Sequence, residues 1–140
     1  MDKNDNRKDF LIKRDYKTWM PIKSEINNRQ KFRTFSEWQV WWVAVGENVG
    51  SEINGKGAYY LRPAIVLKKS SKLSFLGIPL TTQAHEGYGF VKFMFKGKES
   101  YAVLNQLRTF SVFRLVRKKG ELDDSDITLI RQRLKEFLNF

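Results

Sequence analysis

Among the residues of this chain that have a chemistry to offer, Arg62 and Thr81 stand out, because each lies at the end of an expected strand beside a loop. A guanidinium and a hydroxyl placed together suit a phosphodiester. RNA carries its own nucleophile, the 2′-hydroxyl, so a protein that cuts it need only orient that group, move protons and stabilise added negative charge on the phosphate. On residue type alone a plainer role is commoner for both, Arg62 as a surface cation and Thr81 as an ordinary strand residue. Glu52 is a possible base, and reads equally well as a solvated loop carboxylate. Other chemistries find little equipment. The chain has one histidine, His85, and no cysteine. A lone loop histidine is more often a surface residue than a metal ligand, and no carboxylate-rich motif has ligand spacing. No serine lies in a nucleophile-elbow pattern, and the glycines at 46–57 match neither phosphate-loop nor dinucleotide fingerprints. No metal and no cofactor are expected.

Charge points to the partner. Twenty-six Lys and Arg against 15 Asp and Glu give a formal net charge of +11. Charge of that size draws nucleic acid, an acidic protein or an anionic membrane surface. The membrane is the weakest of these, since no basic amphipathic helix with a broad apolar face is visible. Lys56, Lys92 and Arg108 are candidates to attract an RNA backbone, and Tyr59 or Tyr60 to stack a base or fill the core. The lack of cysteine suits a reducing compartment, and no signal-type or membrane-length apolar run is present, so a cytoplasmic protein is expected.

The elements that must position these groups are mostly strands. The run at 40–45 is β-branched and aromatic. A long loop follows at 46–57, rich in Gly and Asn and expected to be mobile. Further strands are expected at 59–68, 73–80, 89–95 and 100–104, with a short sixth near 115–118. Lys96-Gly97 marks a tight hairpin. Pro63 belongs at an edge, a strand start or a bulge. Helical spacing at 15–30 predicts an N-terminal helix, in which Pro21 either makes a kink or opens a second helix. Asp123 is positioned to cap a C-terminal helix whose apolar stripe is Ile127, Ile130, Leu134, Phe137 and Leu138. Residues 1–14 are expected to fray. The fold class is mainly β, a small antiparallel barrel, with a helical extension at 1–36 and the barrel domain at 37–140.

The same residues resemble a known family. Trp41-Trp42-Val43, Gly50-Ser51-Glu52, Arg62-Pro63-Ala64-Ile65-Val66-Leu67, Pro79-Leu80-Thr81-Thr82-Gln83 and Ala102-Val103-Leu104-Asn105-Gln106-Leu107-Arg108-Thr109 follow in the order of the MazF/PemK toxins. Arg114-Leu115 and Lys118-Lys119-Gly120-Glu121-Leu122 resemble the approach to that family's last helix. The resemblance implies an SH3-like barrel, usually a homodimer. It implies a metal-independent endoribonuclease that cuts single-stranded mRNA at short sequence motifs, leaving a cyclic phosphate or 3′-phosphate and a 5′-hydroxyl. It implies a toxin held in check by an antitoxin. The basic charge adds that this partner should be acidic. Arg62 matches the catalytic arginine and Thr81 the catalytic hydroxyl. Ser51 and Glu52 match loop residues that approach RNA. Thr82, Gln83, Asn105, Gln106 and Arg108, with Lys56, complete the expected RNA contacts.

Two departures matter. Some members carry an aspartate at Asn105 and an arginine at Val103, both implicated in catalysis there, so the base is the least secure assignment. Two rivals remain on the same fold: an inactive RNA-binding barrel and a gyrase poison. The latter class relies on a Trp-containing tail, whereas this chain ends Phe137-Leu138-Asn139-Phe140.

Overall fold

The computed structural model describes residues 13–140. The expected fray at 1–14 therefore lies almost wholly outside the described residues. Helix α1 spans Tyr16–Asn27, strands β1 to β7 span Gln39–Ala44, Leu61–Ser71, Ser74–Thr81, Phe90–Phe95, Lys98–Val103, Arg108–Ser111 and Leu115–Glu121, and helix α2 spans Asp124–Leu138. No described helix is long and apolar enough to cross a membrane.

The fold is mainly β, as expected, with seven strands in the order β4-β5-β3-β2-β1-β7 and β6 paired to β3. The barrel is not closed by hydrogen bonds: β4 and β7 end the main strand path, and no ladder joins them among the described residues. Side chains fill the gap instead. The Phe95 ring lies so close to Gly120 that a Cβ there would be 2.8 Å from it. On the side away from β2, strand β3 is shared between two partners. Its first half, Ser74 to Gly77, pairs with β6, and its last two residues, Leu80 and Thr81, pair with β5.

Two buried clusters hold the sheet. One gathers Val40, Ile65, Ile78, Leu80, Val91 and Phe93 under α2. The other gathers Trp41, Val43, Val66, Phe75, Phe110 and Val112. Helix α2 has the N-cap its sequence promised. The Asp123 carboxylate accepts from Asp126 N at 2.9 Å, and Asn139 closes the far end in the left-handed region at φ 63°. Ile130 is fully buried, with Ile127, Leu134 and Phe137 packed beside it. Leu138 is exposed, so the stripe is one residue narrower than its spacing suggested.

Helix α1 is a single helix that runs through Pro21. A proline inside a helix costs about 3 kcal/mol. Pro21 and Lys17, the residue whose carbonyl loses its partner, are both exposed, which leaves that turn of the helix open to solvent. Burial of Trp19 and Ile26 in a third cluster with Ala44 and Tyr60 contributes roughly 2–3 kcal/mol each and offsets the loss.

Candidate active site

Arg62 is the second residue of β2, and Thr81 is the last of β3. The antiparallel register pairs Ala64 with Pro79 and Ile65 with Ile78. Continued by two residues, it sets Arg62 opposite Thr81. Both are only 9% exposed, in a molecule whose other cations are mostly solvated. Arg62 Nε donates to the Asn54 carbonyl at 2.6 Å, and Nη1 donates to the Leu80 carbonyl at 3.2 Å. These bonds fix the plane of the guanidinium but leave its charge intact. No carboxylate forms an ion pair with it among the described residues. Burial holds its pKa below the ordinary arginine value. The group remains cationic at neutral pH, with three of its five N–H donors uncommitted. Thr81 Oγ1 accepts from Gln83 N at 3.1 Å, which leaves its O–H free to donate.

Two clefts meet at this pair. The first, about 300 Å³, is lined by Ser51, Ile53, Gln83, His85, Phe90, Val103, Asn105 and Gln106 as well as Arg62 and Thr81. It offers amides, hydroxyls and one imidazole. The second, about 500 Å³, shares Arg62 and Thr81 and adds Trp42, Lys56, Thr82, Phe95, Lys98, Arg117 and Lys119. It is basic and holds no carboxylate. A neutral hydrogen-bonding cleft and a cationic cleft therefore share one wall, and a buried cation and a hydroxyl stand in that wall.

A family model described as the PemK-like, MazF-like toxin of type II toxin-antitoxin systems matches residues 36–138. The chain belongs to this toxin family. Solved structures agree on the fold. MazF from Deinococcus radiodurans superposes with a TM-score of 0.63 at 17% identity, over 77% of this chain and 99% of that one. An endoribonuclease from a mycobacterial species gives 0.59 at 14% identity, over 79% of this chain and 97% of its own. A mycobacterial endoribonuclease in complex with its cognate antitoxin gives 0.58 at 15%, over 76% and 97%. No curated protein matches the sequence.

Most of the residues that the PemK/MazF pattern singles out are brought together. Ser51, Gln83, Asn105 and Gln106 line the first cleft, and Lys56 and Thr82 the second. Gln106 is also a strut, because its Oε1 accepts from Ile53 N at 2.9 Å and its Nε2 donates to the Ser51 carbonyl at 3.1 Å. Glu52 and Arg108 line neither cleft. The Glu52 carboxylate accepts from Val49 N at 2.9 Å and closes a turn of its own loop. Arg108 lies over the Phe110 ring at 4.5 Å, and burial lowers its pKa. Lys92 forms an ion pair with Glu99 at 3.1 Å and is correspondingly less available to RNA.

Loop 46–57 was expected to be long and mobile; it is cross-linked. Asn48 N donates to Asn54 Oδ1 at 2.9 Å, Asn48 Nδ2 to the Ile53 carbonyl at 2.7 Å, and Gly55 N to the Gly46 carbonyl at 2.9 Å. Tyr60 is buried core, and Tyr59 is exposed and free to meet a base.

Five cleft residues carry no site signal in the sequence. His85 is exposed, as expected of a loop histidine, and its ring also stacks on Phe90 at 4.4 Å with 5° between planes and lines the first cleft. Trp42, Lys98, Arg117 and Lys119 come from β1, β5 and β7 and meet only in the folded sheet. Arg117 and Lys119 lie over the Trp42 ring at 5.4 and 5.1 Å. Burial, and then neighbouring Lys98 and Lys96, lower the Lys119 pKa. That concentration of positive charge is a cue for an anion.

Proposed function

We propose that this toxin is an endoribonuclease that cuts single-stranded mRNA at short motifs without a metal. The observation that carries the reading is the Arg62–Thr81 pair in the wall shared by a hydrogen-bonding cleft and a basic cleft. The scissile phosphate lies against Arg62, whose uncommitted N–H groups stabilise the charge that develops on the non-bridging oxygens. Thr81 donates to the same phosphate. The 2′-oxygen attacks phosphorus and the bond to the 5′-oxygen breaks, leaving a 2′,3′-cyclic phosphate and a 5′-hydroxyl. One proton leaves the 2′-hydroxyl and one joins the 5′-oxygen.

With Asn105 uncharged and Glu52 engaged in its own loop, His85 is the group in the cleft best suited to carry a proton. Gln83, Asn105 and Gln106 read base edges, and Lys56, Lys98, Arg117 and Lys119 follow the backbone. Family membership supports an antitoxin partner, and one structural neighbour was solved with its cognate antitoxin. An acidic, partly disordered antitoxin segment would occupy the basic cleft and exclude RNA. A homodimer would set two such sites side by side.

The test is to incubate a mixed mRNA with the purified protein in EDTA and map every new end. Cleavage at a recurring motif with cyclic-phosphate and 5′-hydroxyl ends is the expected result. Intact RNA across varied sequences sinks the enzymatic reading, and RNA retained without cleavage would identify an inactive binding barrel.

A further inference from the structure

The family match begins at residue 36, and the Deinococcus toxin is 99% covered while covering 77% of this chain. Helix α1 lies before that matched region. It does more than cover a sheet face, because the residues at its start hold the loop that borders the candidate site. The Arg14 guanidinium donates to the Gly50 carbonyl and, at 3.2 Å, to the Glu52 carbonyl. Asp15 N donates to the Glu47 carboxylate, and the Tyr16 hydroxyl donates to the Asn48 carbonyl. The Tyr60 hydroxyl donates to Asp15 Oδ2 at 3.0 Å. Trp19 meets the Tyr60 ring edge-on at 5.4 Å and presses on Gly46, where a Cβ would lie 2.3 Å from its ring. The contacts thus run from one end of loop 46–60 to the other.

The loop leads directly to the site. Asn54 supplies the carbonyl that receives Arg62 Nε, and Ile53 and Ser51 supply the groups that hold Gln106. Gly46, Gly50 and Gly57 all have positive φ. A chain with that many glycines loses much conformational entropy when it is ordered. Ordering it in advance removes that cost from RNA binding.

We propose that Arg14 and Tyr16 are positioning residues, which pre-order loop 46–60 and thereby set the affinity of the first cleft for RNA. The activity arm of this proposal rests on the endoribonuclease reading; the structural arm does not. When the competent form of a site is only a fraction of the population, the apparent dissociation constant rises by the inverse of that fraction, while the bound state is unchanged. Weakening the brace therefore raises KM and spares kcat.

The experiment uses the full chain carrying Arg14→Ala and Tyr16→Phe together. The variant leaves Trp19 and Ile26, the buried residues of α1, unaltered. Hydrogen exchange at amides 47–56 should speed up by about tenfold or more while the amides of β2 and β3 keep their protection. With a single-stranded RNA containing the mapped cleavage motif, KM should rise about tenfold with kcat within about twofold of wild type. Arg14→Lys, which keeps a donor at that position, should recover part of both effects. Unchanged loop exchange overturns the brace. Exchange rising equally in loop and core reduces it to ordinary stabilisation and overturns it too, as does a fall in kcat at constant KM. If the wild-type chain cuts no RNA, the endoribonuclease reading fails while the exchange experiment still decides the brace.

Discussion

Arg62 Nη1 and the Leu80 carbonyl meet at 3.2 Å, and this bond ties the buried cation of β2 to the residue that precedes Thr81 in β3. The pair is held as one unit by main-chain acceptors, and among the described residues no acidic side chain pairs with the charge. Removing the cation should therefore cost activity and little structure. Arg62→Ala should lower single-turnover RNA cleavage about 10²–10³-fold, the usual loss for one donor set aimed at a developing oxyanion. Arg62→Lys should not recover it, because an ammonium cannot hold two carbonyls in the guanidinium plane and still reach the phosphate. Thr81→Ser should retain most of the rate, and Thr81→Val should lose it. Circular dichroism of each variant checks that the sheet is intact.

His85 carries the proton-transfer prediction. His85→Ala should reduce cleavage about 10²-fold or more with RNA affinity preserved, and added imidazole should restore part of the rate. Full activity in His85→Ala would remove the residue from the mechanism and return the search to the RNA and solvent.

The basic cleft makes a prediction about salt. Replacing Arg117 and Lys119 by alanine should weaken RNA binding uniformly across sequences. For single strands each lost phosphate contact should flatten the slope of log K against log salt by about 0.7. A slope identical to wild type would place the RNA elsewhere.

Asp123 sets an acid limit on stability. Its carboxylate accepts from Asp126 N and from the Ser125 hydroxyl, and these bonds lower its pKa from the ordinary 3.8. A depressed carboxylate stabilises the fold fully above its unfolded pKa, and that contribution is lost as pH falls through the lower folded value. Asp123→Asn should therefore lower Tm at pH 7, with a gap from wild type that narrows below about pH 4. A gap independent of pH would show that the cap works without its charge.

These groups differed in how far the chain itself announced them. α2 was legible because its N-cap and stripe are local. Strand β6 was not: it is four residues long, lies between two single-turn 3-10 helices, and buries only Phe110. The open sheet was equally illegible, since closure depends on Phe95 reaching Gly120 across 25 residues of chain. Arg62 and Thr81 were found because their neighbours form recognisable motifs. His85 has nothing beside it in sequence that marks a cleft; its stacking on Phe90 and its place with Asn105 in the first cleft are tertiary facts.

Strand β7 bears on more than substrate. It is a free edge of the sheet, and an unpaired edge is a template on which another chain can extend. Its exposed Arg117 and Lys118 meet any approaching copy of the same strand with like charge. Arg117, expected to steer RNA, thus also guards against edge-to-edge aggregation.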